Sequence, residues 1–156
     1  MITEIDFIKK TIDVILDKFE IEFEIEIIKD EDINATRFLV KTNEPRLLIG
    51  YKGYNLVALS HIVKRITDKE FNDKENRIYF ILDINNYQRD RINEVKTNAH
   101  MLAQRAKYFK SSVDMTPLPP NERMVVHSLF SDSKDFQTTS SGYGSERRIT
   151  IKYTGE

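Results

Sequence analysis

The segment Leu47-Leu48-Ile49-Gly50-Tyr51-Lys52-Gly53 decides the interpretation of the first half of this chain. An apolar stripe at helical spacing follows it: Leu56, Leu59, Ile62, Val63 and Ile66. Glycine allows the backbone to approach a ligand closely, and the amides at the start of a helix attract anions. We therefore predict a glycine loop, Gly50 to Gly53, whose backbone amides and Lys52 ammonium hold phosphate groups.

The elements around this loop can be predicted from apolar spacing. Ile5, Ile8 and Ile12 recur at helical spacing behind Thr3, a residue type that caps helix N-termini. Residues 20–27 and 77–84 alternate between apolar and polar types, as half-buried strands do, and residues 36–42 are a further predicted strand. The predicted order is helix, strand, strand, helix, strand. A bare G-x-x-G also occurs in helix-entry turns that bind nothing, and that interpretation stays open.

The second half begins with the longest predicted helix, over residues 87–110. Pro117-Leu-Pro-Pro120 follows, and because proline is tolerated only in the first turn of a helix, a short helix is predicted from Asn121 to about Phe130. Two strands over residues 135–139 and 148–153 close the chain, and Ser141-Gly-Tyr-Gly144 supplies the turn between them.

Arg123 and His127 lie four residues apart, and therefore on one face of the short helix. A guanidinium binds phosphate through two hydrogen bonds or lies flat on a base, while an imidazole can stack and donate one hydrogen bond. Met124, Val125 and Val126 are predicted to point elsewhere, with much of the helix buried. Such a pair can also be merely solvated or structurally paired, but the surrounding motifs favour binding.

Arg147 and Arg148 open the last predicted strand, where neighbouring side chains face opposite ways. Only one of them can join Arg123 and His127; we favour Arg148 and expect the other to be solvated or salt-bridged. Three tyrosines in or beside the glycine-bearing loops are candidates for stacking on bases or for covering core: Tyr51, Tyr54 and Tyr143.

Composition excludes several classes of function. The chain has no Cys, its three histidines are not at metal-ligand spacing, and no phosphate-loop signature or G-x-S-x-G motif occurs, so we predict no metal, cofactor or catalytic residue. The N-terminus lacks the features of a signal peptide and no apolar run reaches membrane-spanning length, which predicts a cytoplasmic protein.

Charge is divided unevenly along the chain despite a net charge of -1. Residues 1–44 carry 12 Asp or Glu and 6 Lys or Arg, whereas residues 45–156 carry 13 and 18. The second part can therefore present a basic face, although bulk charge alone would hold a polyanion weakly.

A metal-independent ribonuclease is the enzymatic alternative. His127 would act as the general base and Arg123 would stabilise the transition state. That mechanism needs a second acid or base, such as Glu122 or Glu146, and the sequence shows none converging. We therefore predict that the protein is not an enzyme.

Taken together, three motifs resemble the Jag family, also called KhpB/EloR or sporulation-insertase-associated proteins. They are Leu47 to Gly53, Pro120-Asn-Glu-Arg123-Met-Val-Val-His127, and Ser141-Gly-Tyr-Gly-Ser-Glu-Arg-Arg-Ile149, and the match covers residues 20–153. The resemblance implies an α+β architecture: a type II KH-like α-β-β-α-β domain over residues 1–85, then a small Arg-x-x-x-His domain over residues 86–156, joined by the long helix.

The resemblance also implies a function and partners. The expected function is single-stranded RNA binding in post-transcriptional control, linked to cell elongation, division or sporulation, with a small stand-alone KH protein as a possible heterodimer partner. Single-stranded DNA remains possible as the ligand. The family motifs assign nucleic-acid contacts to eight residues: Gly50, Tyr51, Lys52, Gly53, Arg123, His127, Arg147 and Arg148.

Several positions depart from the family pattern. Relatives often have two basic residues where this loop has Tyr51 and Lys52, and Ser is common at the position of Pro119, so a helix cap is lost. Acidic residues are frequent where Thr139, Ser141 and Tyr143 stand, and the separate N-terminal domain of many members is not expected here. The acidic first part favours an alternative, a protein adaptor of the cell-envelope machinery with only vestigial nucleic-acid affinity.

Overall fold

The computed structural model describes residues 2–31, 34–71 and 77–155 of the chain, an α+β protein. The chain divides into two compact units, Met1–Gln88 and Arg89–Glu156. Each unit has its own sheet of three strands, so each is described by itself.

The first unit contains a mixed sheet. In chain order its elements are α1 Glu4–Asp17, β1 Phe23–Asp30, β2 Ala35–Thr42, α2 Pro45–Ile49, a 3-10 turn Tyr51–Gly53, α3 Tyr54–Glu70 and β3 Phe80–Ile84. The strand order is β1-β2-β3. The first pair is antiparallel, with Phe23 opposite Thr42, and the second is parallel, with Val40 opposite Ile84.

The apolar spacing of the sequence explains the core of this unit. The Asp6 N–H donates to the Thr3 hydroxyl at 3.2 Å, which confirms the predicted cap of α1. The helix buries one stripe of its side chains against the sheet and α3. The core is made of Ile8, Ile12, Leu16, Phe38, Val40, Leu48, Leu56, Leu59, Val63, Leu82 and Ile84.

Two boundaries differ from the predictions. Residues 45–49, predicted as a breaker and an apolar lead-in, form the short helix α2, because Pro45 occupies its first turn, where the missing N–H costs nothing. The third strand begins at Phe80 rather than Arg77. The Arg77 guanidinium is bonded to Glu4, Asp68 and the Phe71 carbonyl, which holds that residue outside the ladder.

The second unit has an antiparallel sheet covered on one face by helices. Its elements are α4 Tyr87–Phe109, whose first two residues fall in the first unit, β4 Ser112–Asp114, α5 Pro120–Phe130, β5 Phe136–Ser141, a 3-10 turn Gly144–Glu146 and β6 Arg148–Tyr153. The order is β4-β6-β5, so β6 is central. The core consists of Val95, Ala99, Ala103, Met115, Leu118, Val126, Phe130, Ile149 and Ile151.

Two details of this unit were not predicted from the sequence. The strand β4 is only three residues long, with a half-buried Val113 between two exposed polar residues, so its period is too short to detect. The Met124 side chain is 69% exposed, not buried as predicted. Pro119 occupies the N-cap of α5 with no side-chain hydrogen bond, which agrees with the predicted loss of a cap. In the described ranges no helix has the length and apolar character needed to span a membrane.

Candidate nucleic-acid interface

The glycine loop has a backbone shape that only glycine adopts at its first position. Gly50 has φ 70° and ψ −176°, a combination that is essentially closed to residues with a side chain. A Cβ built on Gly50 would lie 2.4 Å from Cγ of Asn55, whose amide donates to the Leu47 carbonyl at 2.9 Å. The loop entry is therefore fixed by Gly50 together with Asn55, a residue that the sequence motif did not bring to notice.

Gly53 has a structural role in addition to its place in the motif. Its φ is 79° and it is buried, and a Cβ there would lie 3.0 Å from the Tyr87 ring. The motif by itself predicts that Gly53→Asp removes RNA affinity without harming the fold. The contact with Tyr87 makes that substitution unsuitable as a test, because it would disturb packing and loop together.

The side chains between the glycines point to solvent. Tyr51 is 75% exposed, and the Lys52 ammonium lies 5.4 Å from the centre of its ring, within cation–π range. The Tyr54 ring is exposed and lies 6.3 Å from that of Tyr51. Lys52 makes no ion pair within the described ranges. The loop thus presents two aromatic faces and one uncompensated positive charge.

The pair on α5 is half-buried and held in place by neutral groups. The Arg123 guanidinium donates to the Leu118 carbonyl at 2.6 Å. His127 Nδ1 shares a hydrogen bond of 2.7 Å with the hydroxyl of Thr138 on β5. Both side chains therefore have a defined orientation at the junction of α5 with the sheet.

The strand register decides which arginine of the last motif accompanies this pair. Thr138 and Ser140 lie opposite Ile151 and Ile149 in the ladder, and both isoleucines are fully buried under the helices. Thr138 and Ser140 thus share the helix-side face of the sheet with His127. Arg147 lies two residues before Ile149, which is the same face, and its Nε–H donates to the Ser140 hydroxyl at 2.8 Å.

Arg148 faces the other side of the sheet. Its guanidinium donates to the Glu146 carbonyl at 3.4 Å and pairs with the Glu146 carboxylate at 3.7 Å. The structure therefore favours Arg147 over Arg148, the residue favoured by the sequence, as the arginine that joins Arg123 and His127. The alternation rule was applied correctly to the strand, but nothing in the sequence showed which parity faces α5.

The backbone of Leu118 connects the two arginines. Its N–H donates to the Arg147 carbonyl at 3.2 Å, while its own carbonyl accepts from Arg123. Arg123, His127 and Arg147, with Leu118, Thr138 and Ser140, are called the arginine–histidine surface below. Tyr143, the third candidate for stacking, is 93% exposed in the turn before β6.

The partners of the arginines separate structural cations from available ones. Arg37, Arg77 and Arg91 are each paired with a carboxylate that the fold uses. Arg123 and Arg147 bond instead to a carbonyl and a hydroxyl, neutral oxygens that orient the guanidinium without cancelling its charge. The arginine–histidine surface is therefore preorganised and positively charged.

The two carboxylates that a nuclease could use beside His127 are engaged elsewhere. Both oxygens of the buried Glu122 accept from Arg91, at 2.9 and 3.0 Å, and this pairing raises the pKa of the Arg91 guanidinium. Glu146 pairs with Arg148. Among the described residues no group of three or more acidic or histidine side chains could hold a metal ion.

Comparison with known proteins agrees with this geometry. Residues 93–153, most of the second unit, match the family model of the domain named for its Arg-x-x-x-His pair. The chain is therefore a protein with an Arg-x-x-x-His domain, and the arginine–histidine surface lies within the matched residues.

Curated relatives extend the similarity to most of the chain. RNA-binding protein KhpB of Clostridium symbiosum is 28% identical over 153 residues, which cover 97% of this chain and 65% of the relative. KhpB of Streptococcus pneumoniae strain D39 is 27% identical over 135 residues, covering 80% and 40%. KhpB of Bacillus subtilis strain 168 is 25% identical over 130 residues, covering 82% and 61%. The chain spans 40% to 65% of the length of these relatives and belongs to the KhpB, or Jag, family, which confirms the resemblance drawn from its motifs.

Proposed function

We propose that this chain binds single-stranded RNA, through the glycine loop in its first unit and the arginine–histidine surface in its second. The observation that carries the proposal is the pairing of Arg123 and Arg147 with neutral oxygens beside His127. Charges oriented but left uncompensated on a protein surface are suited to an anionic ligand. The relatives named KhpB are described as RNA-binding proteins, which supports RNA as that ligand.

The first unit is proposed to act as a type II KH module. Its order α-β-β-α-α-β, with a Gly-x-x-Gly turn between the last two helices and a parallel pair of strands, supports this assignment. In a KH module the glycine loop clamps the backbone of about four nucleotides. Here the amides of Gly50 to Gly53 and the Lys52 ammonium would hold phosphates, and Tyr51 and Tyr54 would stack on unpaired bases.

The second unit is proposed to bind through side chains. Arg123 and Arg147 can each donate two hydrogen bonds to one phosphate, since a guanidinium has five N–H groups and the described neutral partner of each occupies one of them. When the Thr138 hydroxyl donates to Nδ1 of His127, the proton resides on Nε2, which is then a donor. The ring can donate to a phosphate or base while its face stacks.

The cellular role is proposed from the family. We infer a part in post-transcriptional control connected with cell elongation, division or sporulation, in the cytoplasm, with a small KH protein as a candidate partner. The relatives are longer than this chain, and the proposal assumes that the two units carry the RNA-binding part.

Fluorescence anisotropy of a labelled, unstructured single-stranded RNA tests the proposal with the whole chain. Saturable binding that weakens with salt is expected, with a slope of log affinity against log salt of roughly −0.7 for each phosphate held. Lys52→Glu should weaken binding and flatten the slope, whereas Lys9→Glu on the exposed side of α1 should not. Absence of saturable binding at low salt would support the adaptor role instead. The same sequence as DNA in a parallel titration compares the two nucleic acids.

A further inference from the structure

A basic and aromatic surface at the C-terminal end of α4 belongs to neither site above. From Val95 to Val113 the chain contains no Asp or Glu, but it contains Lys96, Arg105, Lys107 and Lys110. None of these four forms an ion pair within the described parts of the chain. In a chain that is 31% charged and nearly neutral overall, this is a local excess of available positive charge.

Two aromatic rings stand in the middle of that charge. Tyr108 is 83% exposed and Phe109 is 63% exposed, with their ring centres 5.0 Å apart and their planes at 85°. They line a shallow depression with Gln104, Arg105 and Lys107. Isolated exposed hydrophobic side chains are ordinary, but adjacent exposed rings among unpaired cations are the composition of a surface that stacks bases and holds phosphates.

The backbone beneath these rings is fixed. The N–H of Lys110 donates to the Lys107 carbonyl at 3.2 Å and that of Ser111 to the Ala106 carbonyl at 3.0 Å, the two bonds of a Schellman motif. Lys110 occupies the left-handed position of the motif with φ 47°, where glycine is usual. A lysine here accepts backbone strain and places a positive charge beside the rings, although it also complements the negative end of the helix.

We propose that Arg105, Lys107, Tyr108, Phe109 and Lys110, the α4 terminal surface, form a third contact for single-stranded nucleic acid. The proposal extends the proposed RNA-binding function and rests on it. Each ring offers one exposed face to an unpaired base, and the three cations reach phosphates on either side. The edge-to-face arrangement of the rings suits unstacked bases, which a duplex does not present.

The absence of tryptophan from the chain allows a direct test. Tyr108→Trp introduces a single emitter that still stacks, so RNA affinity should stay within about twofold while emission is quenched in step with the anisotropy titration. The matched control is Tyr79→Trp, an exposed position just before β3 in the first unit, whose emission should not respond. Unchanged Tyr108→Trp emission at saturating RNA overturns the proposal.

A second pair of variants separates charge from folding. Lys110→Gly relieves the left-handed backbone, so the melting temperature should stay or rise while RNA affinity falls about two- to threefold. Arg105→Gln with Lys107→Gln should reduce the salt slope by about 1.4, since each lost phosphate contact removes roughly 0.7. The control, Lys9→Gln with Lys18→Gln on and beside α1, should leave it unchanged.

The possible failures can be told apart. If wild type binds RNA and these variants bind with the same affinity and slope, the α4 terminal surface is not a nucleic-acid contact and the two-site function stands. If wild type shows no saturable binding, both proposals fall. If Tyr108→Ala with Phe109→Ala loses at least about fivefold in affinity with an unchanged melting temperature, the third contact is supported.

Discussion

The glycine loop and the arginine–histidine surface offer a phosphate two different kinds of positive region. In the loop, the backbone is fixed by two glycines at φ 70° and 79°, while the exposed side chains of Tyr51 and Lys52 lie against each other. On the second surface the backbone is regular, and each functional side chain is held by a neutral oxygen: Leu118 for Arg123, Thr138 for His127 and Ser140 for Arg147. The first site is organised by main-chain shape and the second by hydrogen bonds between side chains and their neighbours.

This difference determines how substitutions act. A change at a loop glycine alters the backbone itself, so folding and binding are lost together. A change on the arginine–histidine surface removes one oriented group from a regular scaffold, so binding is lost with little effect on stability.

The largest effect is expected for Gly50→Ala. The new Cβ would require a backbone conformation closed to alanine and would displace the Asn55 side chain from Leu47, so the free energy of unfolding should fall by about 3 kcal/mol. Gly144→Ala is the control, because φ is 56° there but no described atom lies within 4 Å of the Cβ, and about 1 kcal/mol is expected. Urea denaturation of both variants measures the difference; equal losses would contradict the steric argument.

Arg123→Ala should weaken RNA binding by at least about tenfold while the melting temperature changes little. A charge-assisted phosphate contact is removed, and the Leu118 carbonyl, near the surface, can bond to water instead. Arg123→Lys should recover only part of the loss, because an ammonium cannot form the two-pronged contact. Anisotropy titrations of both variants check this, and full recovery by lysine would show that charge alone is needed.

Arg147→Gln is expected to weaken RNA binding about fivefold, and Arg148→Gln less than about twofold. The first residue shares a sheet face with His127 and has a neutral partner, whereas the second faces away and is paired with Glu146. The two neighbouring variants are each other's control. A larger loss for Arg148→Gln would restore the assignment favoured by the sequence.

The smallest effect is expected for Thr138→Val, which keeps shape and strand propensity but removes the hydroxyl that orients His127. RNA affinity should fall about two- to threefold, an ordinary neutral hydrogen bond's worth. Thr139→Val, on the opposite face of β5, should have no effect on affinity. If both variants bind like wild type, the His127 orientation does not matter for binding.

Much of the fold could be predicted because its periods are long. The stripe of α1 and the alternation of β6 extend over enough residues to identify element and buried face, and both are found in the structure. The helix α2 and strand β4 have five and three residues, and so short a run carries no period. Arg77 shows a further limit, since its alternating segment is held out of the sheet by carboxylates distant in sequence.

The candidate site was predictable in its motif residues and not in their supports. Glycine spacing and the Arg-x-x-x-His pair identify local features that one turn of chain defines. Asn55, Thr138 and Ser140 act through contacts whose partners lie 8, 11 and 7 residues away, at distances set by the tertiary fold. The choice between Arg147 and Arg148 likewise depends on which sheet face α5 covers.

The central claim is that RNA is held at the glycine loop and at the arginine–histidine surface. A titration of the ¹⁵N-labelled chain with single-stranded RNA, followed by amide chemical shifts, tests it most directly. We predict saturable shifts concentrated at residues 50–54, 123–127 and 138–147, with the acidic strand β1 unaffected. Shifts centred on β1 or α1, with those three segments unchanged, would contradict the account.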